Sequence, residues 1–279
     1  MQPSIVILTY NSEDSLPLTL ASVKGLSKDI HIVDSFSQDR TLEIARQHDV
    51  QITQHVFTNY GDQRNWAIDN LPLRNEWQFH LDADERISPE LAREIAALNE
   101  TVSQDGFHIP RIVVFMGREI RHGGMAPTWH MRLFRAGKGR CENRQYDQHF
   151  HCNGPTIQLR GVMYDDIRLT LSEWTARHNR WADAEVIELQ STDIDGHIAG
   201  RFGGNPVEHK RFLRLVYNRG PLFLRAFALF AYRYFGRFGF LDGKEGLIFF
   251  VLQTFWFRFL VDAKLYENRK STRHSIGNS

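Results

Sequence analysis

The chain opens on four consecutive apolar residues, Ile5-Val6-Ile7-Leu8. A short, unbroken apolar run of this kind suits a strand buried on both faces of a sheet. Thr9-Tyr10-Asn11 breaks it, and a helix-like stretch runs on to about Gly25. The pattern then repeats. Ile30-His31-Ile32-Val33 ends at Asp34, the polar turn Ser35-Phe36-Ser37-Gln38-Asp39 follows, and a helix is predicted over 40–48. A short strand near Gln51-Ile52-Thr53, a helix over 61–71 and the run Trp77-Gln78-Phe79-His80-Leu81, closing at Asp82, continue the series. Ser88-Pro89-Glu90 starts another helix, with a side-chain cap, a proline that needs no N–H, and an acid at the positive end of the dipole. Strand and helix alternate over the first hundred residues. This predicts an α/β fold with a mostly parallel sheet and helices on both faces.

From about 105 to 165 the pattern changes to short strands and glycine-rich turns, including Gly123-Gly124 and Gly137-Lys138-Gly139. A helix is predicted over 174–189, where Trp174, Arg177, His178 and Trp181 share one face and the tryptophans read as core packing. The segment 210–266 is unusual. Phe223, Phe227, Phe230, Tyr234, Phe235, Phe238 and Phe240 crowd one half, and 247–261 is nearly all apolar, interrupted by Gln253 and Arg258. That run is shorter than the ~20 residues a spanning helix needs. Phenylalanine and tryptophan interleaved with arginine and lysine suit a helix lying in the membrane interface. An oligomer contact or an ordinary core is the alternative. The expected organisation is an α/β domain over 1–200, a helical basic-aromatic region over 201–267 that associates with a membrane, and a disordered tail over 268–279.

Composition adds two constraints. With 279 residues, 42% of them apolar and 24% charged, the chain can bury a real core. Two cysteines, Cys141 and Cys152, make no metal-ligand pattern and no disulfide framework, and no charged-then-apolar leader precedes the first strand. A cytoplasmic setting is therefore expected. The net charge of +1 hides an asymmetry: residues 200–279 carry 14 Lys/Arg against 5 Asp/Glu, so the remainder is acidic. The two ends are expected to face different partners.

Asn11, Asp34, Asp82 and Asp84 all fall just past the carboxyl ends of predicted strands, the edge where open α/β sheets bind ligands. Two carboxylates at a strand end, as in Asp82-Ala83-Asp84, can hold a divalent cation against a diphosphate. Asp193-Ile194-Asp195 repeats the spacing but follows no strand-like run.

Several motifs together resemble the family 2, GT-A type glycosyltransferases, above all bacterial enzymes of lipopolysaccharide-core and exopolysaccharide assembly. They are Thr9-Tyr10-Asn11, Val33-Asp34-Ser35-Phe36-Ser37-Gln38-Asp39-Arg40-Thr41, Gly61-Asp62-Gln63-Arg64-Asn65-Trp66-Ala67, Leu81-Asp82-Ala83-Asp84-Glu85-Arg86, Arg132-Leu133-Phe134-Arg135 and Gly239-Phe240-Leu241-Asp242-Gly243. The resemblance implies a GT-A, Rossmann-like sheet. Its nucleotide-sugar pocket would use Thr9, Asn11, Glu13, Asp34, Arg64, Asn65, Asp82 and Ala83, with Arg132 on the diphosphate or an acidic acceptor. Asp84 and Asp82 would ligate Mg²⁺ or Mn²⁺. Inverting transfer needs a general base. The family often supplies it from a His-Glu pair after the Arg-Leu-Phe-Arg segment, whereas this chain reads Gln145-Tyr146-Asp147-Gln148-His149-Phe150. Asp147 is the expected base and His149 the reserve. The implied activity is transfer of a hexose from a nucleotide-sugar, UDP-linked first, to a lipid-linked saccharide at the cytoplasmic face of the inner membrane. A non-catalytic nucleotide-sugar-binding or scaffolding protein of a polysaccharide assembly complex is the alternative. No nucleic-acid partner is expected.

Overall fold

The structure, a computed structural model, describes residues 1–99, 101–142, 144, 147–191 and 198–277, the side chains of 272–277 aside. The second triplet, Asp193-Ile194-Asp195, and Gln145-Tyr146 lie outside the described residues. Two compact units form. The first comprises Met1–Gly117, Ala126–Asn143 and Gln148–Arg168, and the second comprises Arg118–Met125, Arg144–Asp147 and Leu169–Ser279.

In chain order the elements begin with β1 (Ser4–Thr9), α1 (Leu16–Val23), β2 (Ile30–Asp34), α2 (Thr41–Arg46), β3 (Gln51–Gln54) and α3 (Tyr60–Asn70). Next come β4 (Trp77–Asp82), β5 (Glu85–Ile87), α4 (Pro89–Ala97), β6 (Gly106–Phe115) and the two-residue β7 (Arg118–Glu119). Then follow β8 (Thr128–Arg135), β9 (Gly139–Cys141), β10 (Phe150–Cys152), β11 (Thr156–Gln158) and β12 (Met163–Ile167). The second unit carries α5 (Leu171–Gln190), α6 (Pro206–Asn218), α7 (Leu224–Ala231), α8 (Gly243–Phe249) and α9 (Phe257–Gly277).

The main sheet of the first unit runs β3-β2-β1-β4-β8-β6-β12-β5. β1 pairs in parallel with β2 and β4, and β2 with β3. β8 enters antiparallel between β4 and β6. The mostly parallel α/β sheet expected from the alternation is therefore present. Its two faces separate by strand period: Ile5, Ile7, Phe79 and Leu81 pack with Leu16, Leu20, Ala45, Leu91 and Ile95 of α1, α2 and α4. Val6 and Val33 point the other way, onto Ala67 and Leu71 beneath α3. Each such Val, Leu, Ile or Phe side chain, fully buried, contributes about 1.5–3 kcal/mol relative to exposure. At α4 the Ser88 hydroxyl accepts from the Leu91 N–H at 3.1 Å, with Pro89 in the first turn, as the sequence predicts.

The region expected to hold only short strands contains the ten-residue β6 and the eight-residue β8. Pro110 and Arg111 interrupt the apolar run of β6. In the sheet Pro110 sits opposite Trp129, beyond an irregularity in register at Phe107/His108.

In the second unit, Thr170 and Glu173 close a reciprocal cap at the start of α5. Ala182 and Val186 of α5 pack on Phe257, Val261 and Leu265 of α9. Trp174 is fully buried and stacks on His178, with ring centroids 3.4 Å apart, which agrees with the core reading of that tryptophan. Two segments, Tyr232–Gly236 and Phe250–Trp256, are wound as wider π-turns. The helical stretch Gly239–Ser271 is long and apolar enough to cross a membrane by length and composition, and 39% of its most apolar window is buried. It exceeds the apolar run seen in the sequence because helix continues through Arg258, Asp262 and Lys264. α9 carries helix to Gly277, across most of the stretch for which composition suggests a disordered tail.

Candidate functional site

The parallel register aligns the polar strand ends of the first unit: Thr9 faces Asp34 across β1 and β2, and Leu8 faces Asp82 across β1 and β4. Asp34 is fully buried and collects four donors. The Thr9 hydroxyl lies at 3.0 Å, the Ser37 N–H at 3.0 Å, the Ser37 hydroxyl at 2.5 Å and the Gln54 amide at 3.1 Å. A carboxylate so held is fixed in place rather than free to swing. Asn11 takes the left-handed conformation (φ 46°), which brings its side-chain oxygen to the Gln38 N–H at 2.8 Å. The Asn11 N–H donates to the Ser37 hydroxyl at 2.9 Å. Glu13 accepts from the Arg40 N–H at 3.0 Å, so it braces the turn after β2. Beside these lie the exposed rings of Tyr10 and Phe36.

Asp82 sits under two arginines. One Arg64 terminal nitrogen lies 2.9 Å from each of its oxygens, and Arg132 donates to Oδ2 at 2.8 Å. Arg132 also reaches Glu85 Oε1 at 2.5 Å, while the Asp82 N–H donates to Glu85 Oε2 at 3.0 Å. Arg111 extends the chain of charges to Glu85 and Asp165. Burial would raise the Asp82 carboxyl, but the Arg132 and Arg64 charges outweigh it and hold it well below the usual range. Burial raises Glu85 instead, since Asp82 and Asp165 offset much of what Arg132 and Arg111 provide. The same burial, followed by the charges of Arg64 and Arg132, pushes the nearby His80 imidazole down to about 3.

The Nε atoms of Arg64 and Arg132 are buried with no hydrogen-bond partner among the described residues. A planar guanidinium matches phosphate oxygens in its geometry. Arg64 also lies over the rings of Tyr60 and Phe150, at 5.6 and 5.3 Å. Asp84 is half-buried in the turn between β4 and β5, its carbonyl accepting from the Asp166 N–H at 2.9 Å. Ala83 is held by its main chain, donating to Leu8 O and accepting from the Thr19 hydroxyl at 2.7 Å.

Three expected residues, Asn65, Asp147 and the reserve His149, have framework partners. Asn65 reads the main chain of Cys141 like a neighbouring strand, giving its amide to the carbonyl at 3.0 Å and taking the N–H at 2.9 Å. Asp147 belongs to the second unit, at φ 58°, where Lys210, Arg211 and Arg214 donate to its carboxylate at 3.0, 2.8 and 2.9 Å. His149 is buried in the first unit, its N–H bonded to Glu142 at 2.8 Å and its ring 5.0 Å from that of His130. Sequence reasoning assigned no role to Glu85 or Arg111. The signal available was the acid directly following the aspartate triplet.

No group of three or more His, Cys, Asp or Glu side chains could hold a metal among the described residues. The donor set at Asp82 and Asp84 is of the kind that shares a hard cation with substrate phosphates instead.

A model of the Glycosyl transferase family 2 matches residues 4–160. An uncharacterized glycosyltransferase of Rickettsia typhi is 28% identical over 117 residues, which is 41% of this chain and 39% of that protein. An undecaprenyl-phosphate 4-deoxy-4-formamido-L-arabinose transferase of Photorhabdus laumondii is 34% identical over 112 residues, 36% of this chain and 34% of its own length. The chain thus matches well under half the length of these curated relatives. Among solved structures, S. aureus TarS 1-349 in complex with UDP-GlcNAc aligns over 96% of this chain and 92% of that one, with TM-score 0.47 and 13% identity.

Proposed function

The chain belongs to glycosyl transferase family 2, and from that premise we infer that it is an inverting, metal-dependent enzyme. It moves a hexose from a nucleotide-sugar, UDP-linked first, to a lipid-linked saccharide of bacterial surface polysaccharide or lipopolysaccharide. The observation that carries this reading is the row of Thr9, Asp34, Asp82 and Asp84 at the carboxyl edge, with two buried guanidinium groups beside it.

In this reading Asp34, fixed by four donors, accepts from the base or ribose, and Asn11 and Glu13 shape the turn around the nucleoside. Arg64 and Arg132 turn their remaining N–H groups to the diphosphate. Asp84, with the one lone pair of Asp82, on Oδ1, not engaged by arginine, would hold Mg²⁺ or Mn²⁺. When bound, the ion supplies positive charge that stabilises the departing diphosphate. Asp147 accepts the proton of the acceptor hydroxyl. Hydrogen bonds from Lys210, Arg211 and Arg214 hold its carboxylate in place, and one of them has to yield as the proton arrives.

The second unit supports membrane association. Arg258 and Lys264 of the long apolar helix pair with Glu185 and Asp183 of α5. A helix so engaged with a charged neighbour is unsuited to lipid on all sides, whereas one apolar face in the interface is consistent with it. Leu224, Phe227, Phe235 and Phe238 are exposed on the other elements of this unit. The proposed location is the cytoplasmic face of the inner membrane.

The test is release of UDP from a panel of UDP-hexoses with Mn²⁺ by the full chain. Turnover that Asp84→Ala lowers by hundreds-fold or more supports the assignment. Near-normal turnover in that variant refutes the metal role. Donor binding without turnover, across donors and lipid-linked acceptors, would favour the non-catalytic alternative.

A further inference from the structure

The second unit contains a cavity of about 420 Å³ where α5 and α6 end. Leu189, Leu222 and Leu265 line it together with three arginines, Arg219, Arg225 and Arg269. Its size falls within the range of small-ligand pockets. Arg225 is already committed: its guanidinium binds the buried Asp262 and the Asn218 carbonyl. Arg219 and Arg269 are exposed, and among the described residues neither guanidinium has a hydrogen bond or an ion pair.

A simpler use for these arginines is to offset the negative ends of α5 and α6. Each helix end carries roughly half a negative charge. Two full positive charges against two half charges leave a surplus of about one. Arg269, moreover, comes from the body of α9, well short of its end at Gly277. The pocket therefore has a net cation left for a ligand bearing one negative charge.

The apolar lining indicates what else that ligand carries. Leu222 and Leu265 adjoin Phe223 and Tyr266, whose rings lie 6.1 Å apart. From there a file of rings continues through Phe259, at 5.1 Å from Phe223, to Phe227 and Phe255, 4.5 Å apart. Phe227, Phe259 and Tyr266 are exposed. A cationic pocket whose lining residues Leu222 and Leu265 are each followed directly in the chain by a ring of an apolar track matches a phosphodiester attached to a hydrocarbon chain. We propose that this cavity binds the phosphodiester headgroup of an anionic lipid, with Arg219 and Arg269 on the phosphate and the chain along the ring file. The proposal rests on the membrane reading above and gives it a specific headgroup site.

The test is calorimetric titration of the full chain with dihexanoyl-phosphatidylglycerol below its micellar concentration, where no membrane surface contributes. The double variant Arg219→Gln/Arg269→Gln should bind about tenfold more weakly or worse. The charge-matched Arg201→Gln/Lys244→Gln, at two exposed positions away from the cavity lining, should bind as the wild type does. Equal loss in the two double variants, or no binding by the wild type, overturns the proposal. Glycerophosphoglycerol and inorganic phosphate, which lack chains, should bind far more weakly. Equal affinity for either would assign the site to a soluble phosphate and overturn the lipid. Sedimentation with phosphatidylglycerol vesicles separates the two claims. If the wild type stays in solution while the pocket variant still loses the short-chain lipid, membrane docking fails and the headgroup site stands.

Discussion

Arg64 lies with a single terminal nitrogen 2.9 Å from both carboxylate oxygens of Asp82. The pair ties α3 to the end of β4 and leaves the arginine Nε without a partner among the described residues. Arg64→Lys should keep the charge and lose the planar donor set. Because a hydrogen bond to a charged group contributes about 1.5–3 kcal/mol, UDP affinity in the presence of Mn²⁺ should fall roughly ten- to hundredfold. Isothermal titration with UDP measures this directly. Unchanged affinity would remove Arg64 from the donor site.

Asp147 can be separated from a purely structural clamp. If it takes the acceptor proton, Asp147→Asn should lower kcat by about 10²–10⁴ while the melting temperature shifts little. If it serves only to gather Lys210, Arg211 and Arg214, the variant should melt earlier and the folded fraction should turn over near normally. His149→Gln, measured alongside, should leave the acidic limb of the kcat–pH profile in place.

The stability of the first unit should depend on pH through His80. Its imidazole is pushed from 6.5 down to about 3 by burial and then by the charges of Arg64 and Arg132. An unfolded chain binds this proton below about pH 6.5 and the folded one does not, so the contribution is complete above that pH and is lost as the pH falls toward 3. The slope for one such histidine is about 1.4 kcal/mol per pH unit. Urea unfolding between pH 6 and 4 should lose about this slope in His80→Gln. His178, lowered to about 4 chiefly by burial, should behave the same way in the second unit.

Phe235 and Phe238 are 61% and 57% exposed, with no core role to lose. Replacing each by Ser should leave the melting temperature nearly unchanged. If the rings enter the interface, vesicle binding should weaken by about 1–2 kcal/mol per site, several- to thirtyfold. Identical sedimentation of variant and wild type would count against this face as the docking surface.

How far the sequence could be read followed from how local each constraint was. The strand ends at Asp34 and Asp82 were legible because an apolar run and its polar stop lie within ten residues. Ser88 announced α4 for the same reason. Glu85 and Arg111 were not legible, because they meet only when β12 bridges β5 and β6. Asn65 finds Cys141 across 76 positions, and Asp147 finds Lys210 across 63, distances that no motif spacing encodes. The charged residues inside the long helix misled in the other direction. Arg258 looked like an interruption of an apolar segment, yet it is where α9 engages Glu185, and Lys264 beyond that run engages Asp183.

The wide turns at Phe250–Trp256 act as a phase offset within one continuous helix. Each α-helical residue advances by about 100°, so the surplus residue held there sets the angle of everything that follows. Deleting one residue from this segment would let ordinary winding resume and keep Phe257, Val261 and Leu265 roughly in phase with Ala182 and Val186; winding the full-length segment as plain α-helix would instead turn them away by about 100°. Arg258 and Asp262 would turn with them, off Glu185 and Arg225. The winding of that segment, more than any single side chain in it, sets which face of α9 meets α5 and which faces outward.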